Sequence, residues 1–204
     1  MSTLLTTFGR SSLVQRVVSG TNYALPQYLS YGSGSNSALA SDQALSNPYS
    51  GRVACTVLSA TNATAGDTYR TIAIISGNSN LTISNIGLFD VVTNAPTGSL
   101  LTQLNPGATT VQVSGYNNFP TTFPFNIQIN NEVIQVVSSG GLNTWNVARN
   151  VNGSPVSTNV IAANTVIVGA SGTSNGNMFL ESSFSSFNLN AGDSVQFTID
   201  LQFS

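Results

Sequence analysis

The chain has no histidine, no lysine and one cysteine, and only 6% of its 204 residues are charged, against roughly 25% in ordinary soluble domains. Each absence closes a line of chemistry. Without histidine the usual base for a serine or cysteine nucleophile is missing, and so is lysine as its substitute. One cysteine and seven scattered acids give no ligand set for a transition metal. The cations are Arg10, Arg16, Arg52, Arg70 and Arg149, spread singly in a chain of net charge −2. No basic cluster is there to neutralise phosphates, so nucleic acid is not an expected partner. The apolar runs fall short of the roughly 18 residues of a transmembrane helix, and "MSTLLTTFGR" lacks the basic start and apolar middle of a signal peptide. Neither membrane contact nor Sec export is expected. "YGSGSNSA" is glycine-rich but has no lysine, so it is not a phosphate-binding loop, and no cofactor is implied.

What is present is turn punctuation. "SGTN", "YGSGSNS", "SNPYSG", "NATAGD", "SGNSN", "TNAPTGS" and "GASGTSNGN" separate short runs rich in β-branched and aromatic residues, the pattern of an all-β sandwich or barrel. At the C-terminus, Val195, Phe197, Ile199, Leu201 and Phe203 alternate with polar residues, which predicts a strand with one core face. "TYRTIAIIS" turns apolar on both faces toward its end, as a deeply buried strand would. In "LTISNIGLFDVVT" the apolar phase shifts at Asn85, which predicts a bulge, and Gly87 predicts close backbone approach. "SSLVQRVV" and "SDQALS" are the short helix-like stretches. Residues 103–165 read as an insertion in which "FNIQI", "EVIQVV" and "TWNVAR" form a meander joined by an Asn130–Asn131 turn and an "SSGG" loop. Trp145 is expected to plug its small core.

Few side chains offer chemistry. Cys55 alternates with Val53 and Val57 and reads as a core residue. Asn62 and Asn80 sit in N-x-T sequons but read as turn asparagines. Two Ala-Gly-Asp turns precede strands; they are expected to be β-turns, the alternative being a calcium site on Asp67 and Asp193. Glu132 and Glu181 are the candidates for a paired-carboxylate site, with no local pattern favouring them. Asp90 is expected to end a core strand and pair with Arg52 or Arg70. No catalytic and no metal-binding residue is assigned.

"TISNIGLFDVVTNAPTGSLLTQ", followed after the insertion by "MFLESSFSSFNLNAGDSVQFTIDLQF", resembles a broad family of bacteriophage virion proteins. Members share an I-x-x-x-G-L-F-D strand and end in a G-D-S strand of alternating hydrophobicity. "YLSYGSGSNSALASDQALSNPYSGRVACTV" fits the same pattern, and the insertion resembles a small β-module of phage head and tail surface proteins. The resemblance covers most of residues 23–102 and 166–204. It implies an all-β fold: an antiparallel, jelly-roll-like β-sandwich from residues 1–102 and 166–204, interrupted at 103–165 by a small β-barrel or β-sandwich module.

The function it implies is non-enzymatic: a capsid decoration or cement protein in the virion, assembled in the host cytoplasm and bound to the major capsid protein. A tail fibre, tail adaptor or baseplate component in contact with tail proteins is the alternative. The short chain, without heptads or long repeats, favours the head. A carbohydrate-binding or depolymerising surface module is the reading from another class; its candidate contacts are Tyr116, Phe119, Phe123 and Trp145. A homo-oligomer is expected because nothing guards strand edges with charge, and the resemblance implies a trimer.

Overall fold

The structure, a computed structural model, describes residues 2–203 apart from 22, 50, 62–63, 94–95 and 171–175. In chain order its elements are β1 (Ser2–Leu5), α1 (Thr7–Val18), β2 (Tyr28–Gly32), β3 (Val53–Ala54), β4 (Thr56–Ala60), β5 (Thr68–Ser76), β6 (Leu81–Phe89) and β7 (Thr97–Leu100). There follow β8 (Thr110–Ser114), β9 (Phe125–Ile129), β10 (Glu132–Gly141), β11 (Thr144–Ala148), β12 (Val166–Gly169), β13 (Met178–Leu189) and β14 (Ser194–Gln202). The fold is all-β: a five-stranded sheet β1-β13-β6-β2-β3, a three-stranded sheet β14-β5-β4, and a closed six-stranded barrel β10-β11-β8-β7-β12-β9. All the pairings are antiparallel.

The two open sheets face each other as a sandwich. Its core holds Leu29, Ile83, Ile86, Leu88 and Leu180 from the larger sheet and Ala73 and Ile75 from the smaller, with Phe197, Ile199 and Leu201 packed against them. Strands β6 and β14, which flank the insertion in sequence, therefore share one core. "RVACTVL" alternates as expected but is two strands. β3 pairs with β2 and β4 with β5, so the chain changes sheets at Cys55, where a sandwich corner needs it. In β5, Ala73 and Ile75 are buried, but Ile74 is 56% exposed. The smaller sheet has a wet outer face, and "TYRTIAIIS" is not buried on both sides.

Strand β6 lies between β13 and β2 and is buried from Ile83 to Phe89. At Gly87 an added Cβ would lie 3.0 Å from Met178 Sδ and 3.1 Å from Leu45 Cδ2. This is the close approach that the glycine predicts. The irregularity behind the phase shift sits mainly on the neighbouring strand. Ser183 faces Asn85 and Phe187 faces Ile83, so β13 carries the surplus residues.

The barrel core is Trp145 with Leu100, Val111, Val113, Phe119, Ile127, Ile129, Ile134, Val136, Val147 and Ile167. Two of its staves, β7 and β12, fall outside residues 103–165, so the closed barrel runs from Thr97 to Gly169. The Asn130–Asn131 turn is tight, with Ile129 opposite Glu132 and Asn130 at φ 55°. The expected "SSGG" loop is instead strand: β10 continues through bulges to Gly141 and turns at Leu142–Asn143, with Asn143 at φ 57°. The asparagine takes the left-handed conformation that the turn requires.

Residues 33–48 lie over the outer face of the larger sheet and reach the barrel. Ser84 Oγ donates to Gly34 O at 2.6 Å, Asn85 Nδ2 donates to Ser46 O at 3.1 Å, and the barrel's Gln128 accepts from the backbone of Gln43 and Ala44 at 2.7 and 3.0 Å. "SDQALS" is not helical. Asp42 Oδ2 accepts from Leu39 N at 2.7 Å, and Ala44 and Leu45 are buried, which holds the segment in turns and extended backbone.

Candidate functional site

The ionisable groups show first what they are used for. Glu132, 3% exposed, receives a two-pronged ion pair from Arg149 and a 3.1 Å bond from Ser157 N inside the barrel wall. Glu181, also 3% exposed, belongs to the sandwich and bonds to Asp42. The two glutamates are thus in different modules, each with its own partner, and form no common cleft.

Asp42 and Glu181 make a close pair of acids. Asp42 accepts from Gln128 Nε2 at 3.2 Å and from Asn131 Nδ2 at 3.2–3.3 Å, besides Leu39 N. Burial, with the neighbouring Asp42 charge added, pushes the Glu181 carboxyl up to about 10, and burial raises Asp42 too. Glu181 therefore keeps its proton at neutral pH and donates it to the Asp42 carboxylate. This shared proton joins β13, the covering segment and the barrel. It holds structure together, and Asp42 also lines a cleft of about 570 Å³ with Thr7, Phe8, Ser11, Asn126 and Met178.

The other acids serve locally. Asp90 accepts from Asn177 N at 2.7 Å and Asn177 Nδ2 at 3.0 Å. Of its two expected partners, Arg70 instead pairs with Asp200 at 2.7 Å. Arg52 lies over the Phe89 ring, 3.6 Å from its centroid, and donates to Val91 O at 2.9 Å. Burial draws it down to about 10, against the opposing charge of Asp90. Asp67 and Asp193 cap equivalent turns: Thr64 N donates to Asp67 at 2.8 Å and Asn190 N to Asp193 at 3.2 Å, with Gly66 at φ 76° and Gly192 at φ 92°. β5 and β14 are antiparallel along nine residue pairs, which separates the two turns by on the order of 27 Å. One cation cannot bridge them, and among the described residues no group of acids, cysteine or histidine is arranged to hold a metal.

Cys55 is half-buried against the sandwich core, and burial pushes its thiol up to about 11. Asn80 Oδ1 accepts from Ala191 N at 3.1 Å, a turn role; Asn62 lies outside the described residues.

The four aromatic candidates gather at the barrel but do not form a platform. Phe119 and Trp145 are 4% and 3% exposed, their centroids 5.1 Å apart edge to face, and Trp145 stands edge-on to Phe125 at 5.5 Å. Tyr116 and Phe123 are half-buried and pack against this core. The rings are used on one another, which leaves no flat face of Trp145 or Phe119 for a sugar.

The surface feature that sequence reasoning missed is the orientation of the N-terminal helix, which begins at Thr7 and includes the helix-like "SSLVQRVV". Thr6 caps it, accepting from Gly9 N at 3.0 Å, and Thr6 N bonds to Phe179 O at 3.1 Å. The buried positions of α1 are Gly9 and Ser12. At Gly9 a Cβ would lie 2.1 Å from Phe179 O, so only glycine lets the helix touch β13. The valines point away: Val14, Val17 and Val18 are 59%, 87% and 78% exposed. Their i, i+3, i+4 spacing makes one apolar stripe. The helix turns Gly9 and Ser12 inward, packs Leu13 partly against the sandwich core, and points its valines outward. The glycine and serine three apart were the available signal, but the default expectation of a buried valine face hides it.

No protein-family model matches the chain, and no curated protein matches it either.

Proposed function

We propose that the protein is a non-enzymatic structural component of a bacteriophage virion, a decoration or cement protein seated on the head surface against the major capsid protein and beside copies of itself. The outward valine stripe of α1 carries this reading. A soluble chain gains nothing by burying Gly9 and Ser12 while exposing Val14, Val17 and Val18; a chain that docks through that stripe does, because the valines then lose water at the contact. The engagement of Glu132, Arg149, Asp42 and Glu181 in internal bonds supports it from another side, since these groups hold the fold together.

Purified particles of the encoding phage should contain the chain in hundreds of copies. A handful of copies would move it to the tail or baseplate with the same docking logic. A V17D/V18D double variant should fold, since both positions are exposed, yet fail to add back to particles stripped of the protein. Absence from particles, or unimpaired binding by the double variant, overturns the reading.

A further inference from the structure

Four strands end the two open sheets: β1, β3, β4 and β14. Three are short, at four, two and five residues, and short edges are one way to deny pairing to another chain. β14 differs. It has nine residues, pairs with β5 along its whole length, and no strand among the described residues lies on its other side. It carries no lysine, no proline and no bulge in its ladder. Its one charge, Asp200, is already neutralised by a two-pronged bond from Arg70, both oxygens at 2.7 Å.

Beside this edge the sandwich is open. Val195, Phe197, Ile199 and Leu201 point inward but remain half-buried. A cleft of about 390 Å³ lies between β13 and β14, lined by Leu180, Phe184, Phe187, Phe197 and Ile199, with Thr3 of β1 on its rim. The three phenylalanine rings stand 6.0–6.3 Å apart. A long backbone edge beside an uncovered apolar cleft asks for an extended strand with alternating apolar side chains.

We infer that this strand is β14 of a second copy, paired antiparallel about a two-fold axis at Thr198, which joins the two small sheets into one of six strands. The sequence is self-complementary in that register. Thr198 is the middle residue of Ser194–Gln202. Pairing about it sets Phe197 opposite the partner's Ile199 and Val195 opposite the partner's Leu201 on the inner face. On the outer face Asp200 meets the partner's Gln196, so no like charges oppose each other. An isologous contact of this kind closes on itself. It also brings the two phenylalanine clefts together, so that each covers the other. The operator gives two copies, where the resemblance implies three.

The pairing deepens the self-association in the proposed function but is read in solution without a particle, so the two fail separately. In sedimentation velocity at micromolar concentration the chain should be a dimer. Thr198→Lys places two ammonium groups face to face across the axis at an exposed outer-face position, and should convert the dimer to monomer with an unchanged far-ultraviolet spectrum. In a Cys55→Ala background, Thr198→Cys should cross-link to itself on mild oxidation, while Leu58→Cys, on the edge strand at the other side of the sheet, should not. A native monomer, a trimer that Thr198→Lys leaves intact, or equal cross-linking at both positions overturns the inference.

Discussion

The barrel and the sandwich are made from the same lysine-free, weakly charged sequence, yet one is sealed and the other is not. In the barrel every stave has two neighbours, and Val113, Ile127, Ile129, Ile134, Val136 and Ile167 are each 0% exposed. In the sandwich the sheets hold five and three strands, and the inward side chains of β14 are only half-buried. Closure removes edges, so a barrel needs no charged guards. A sandwich without such guards keeps its edges short or has them covered. The difference shows where the chain closes its own sheet and where it leaves edges open.

Large-to-small substitution tests that contrast most strongly. Trp145→Ala empties the middle of a sealed core with nothing able to collapse into the gap, and should cost about 3–5 kcal/mol in urea unfolding. Phe197→Ala, half-buried at the open cleft, should cost about 1–1.5 kcal/mol in the monomer. Equal losses would erase the distinction between finished and unfinished cores.

The barrel's ion pair comes next. Arg149→Met strands the Glu132 carboxylate, 3% exposed, in the wall, and should cost about 3–5 kcal/mol. The double variant E132L/R149M should regain most of that loss, because an apolar pair leaves no buried charge behind. If the single variant is neutral by denaturant titration, the barrel wall is wetter than its geometry indicates.

Much of this architecture is legible in the chain, for identifiable reasons. β14 declares itself because it has one wet and one dry face, and Gly87 because a strand glycine marks crowding. The β9–β11 meander shows through its apolar runs and its Asn130–Asn131 turn, although β9 and β10 are buried on both faces at Ile127–Ile129 and Glu132–Ile134. The barrel's limits are not legible: "TGSL" and "VIVG" are four-residue strands that only their partners define. The turn after β10 is misplaced because glycine attracts the prediction, whereas Asn143 takes the left-handed position. The Asp42–Glu181 proton joins residues far apart in sequence with no motif between them. The orientation of α1 is set by contact with Phe179, which no periodicity encodes.

That shared proton joins the two modules, and its pH dependence has a definite sign. Glu181 is raised from 4.5 to about 10 in the folded chain, so between those values the folded state holds a proton that the unfolded state has lost. Stability therefore falls as pH rises through that window, by at most about 1.4 kcal/mol per pH unit for one proton. Asp42 is shifted the same way by burial. The groups facing the pair are Gln128, Asn131 and the Leu39 amide, with no cation among them. Glu181→Gln keeps a donor toward Asp42 and removes the titration, so its unfolding free energy should fall less steeply between pH 5 and about 9. Parallel pH profiles for the two proteins would show that the proton is not shared.

The smallest effect is expected from the sandwich's own ion pair, which makes it the control for the barrel's. Arg70 and Asp200 face each other across β5 and β14 with the same two-pronged geometry as Arg149 and Glu132, but with side chains 38% and 42% exposed rather than 10% and 3%. Arg70 holds the Asp200 carboxyl below its ordinary value. Whatever stability this adds is present above the unfolded carboxylate range and lost as pH falls through the lower folded value. Water already solvates both ends, and ordering the long Arg70 side chain offsets most of the attraction. Asp200→Asn should therefore leave the denaturation midpoint of the monomer nearly unchanged at neutral pH, and added salt should narrow what difference there is. A loss as large as that of Arg149→Met would mean that the outer face of the smaller sheet is covered in solution, and that the sandwich is less open than the barrel comparison makes it.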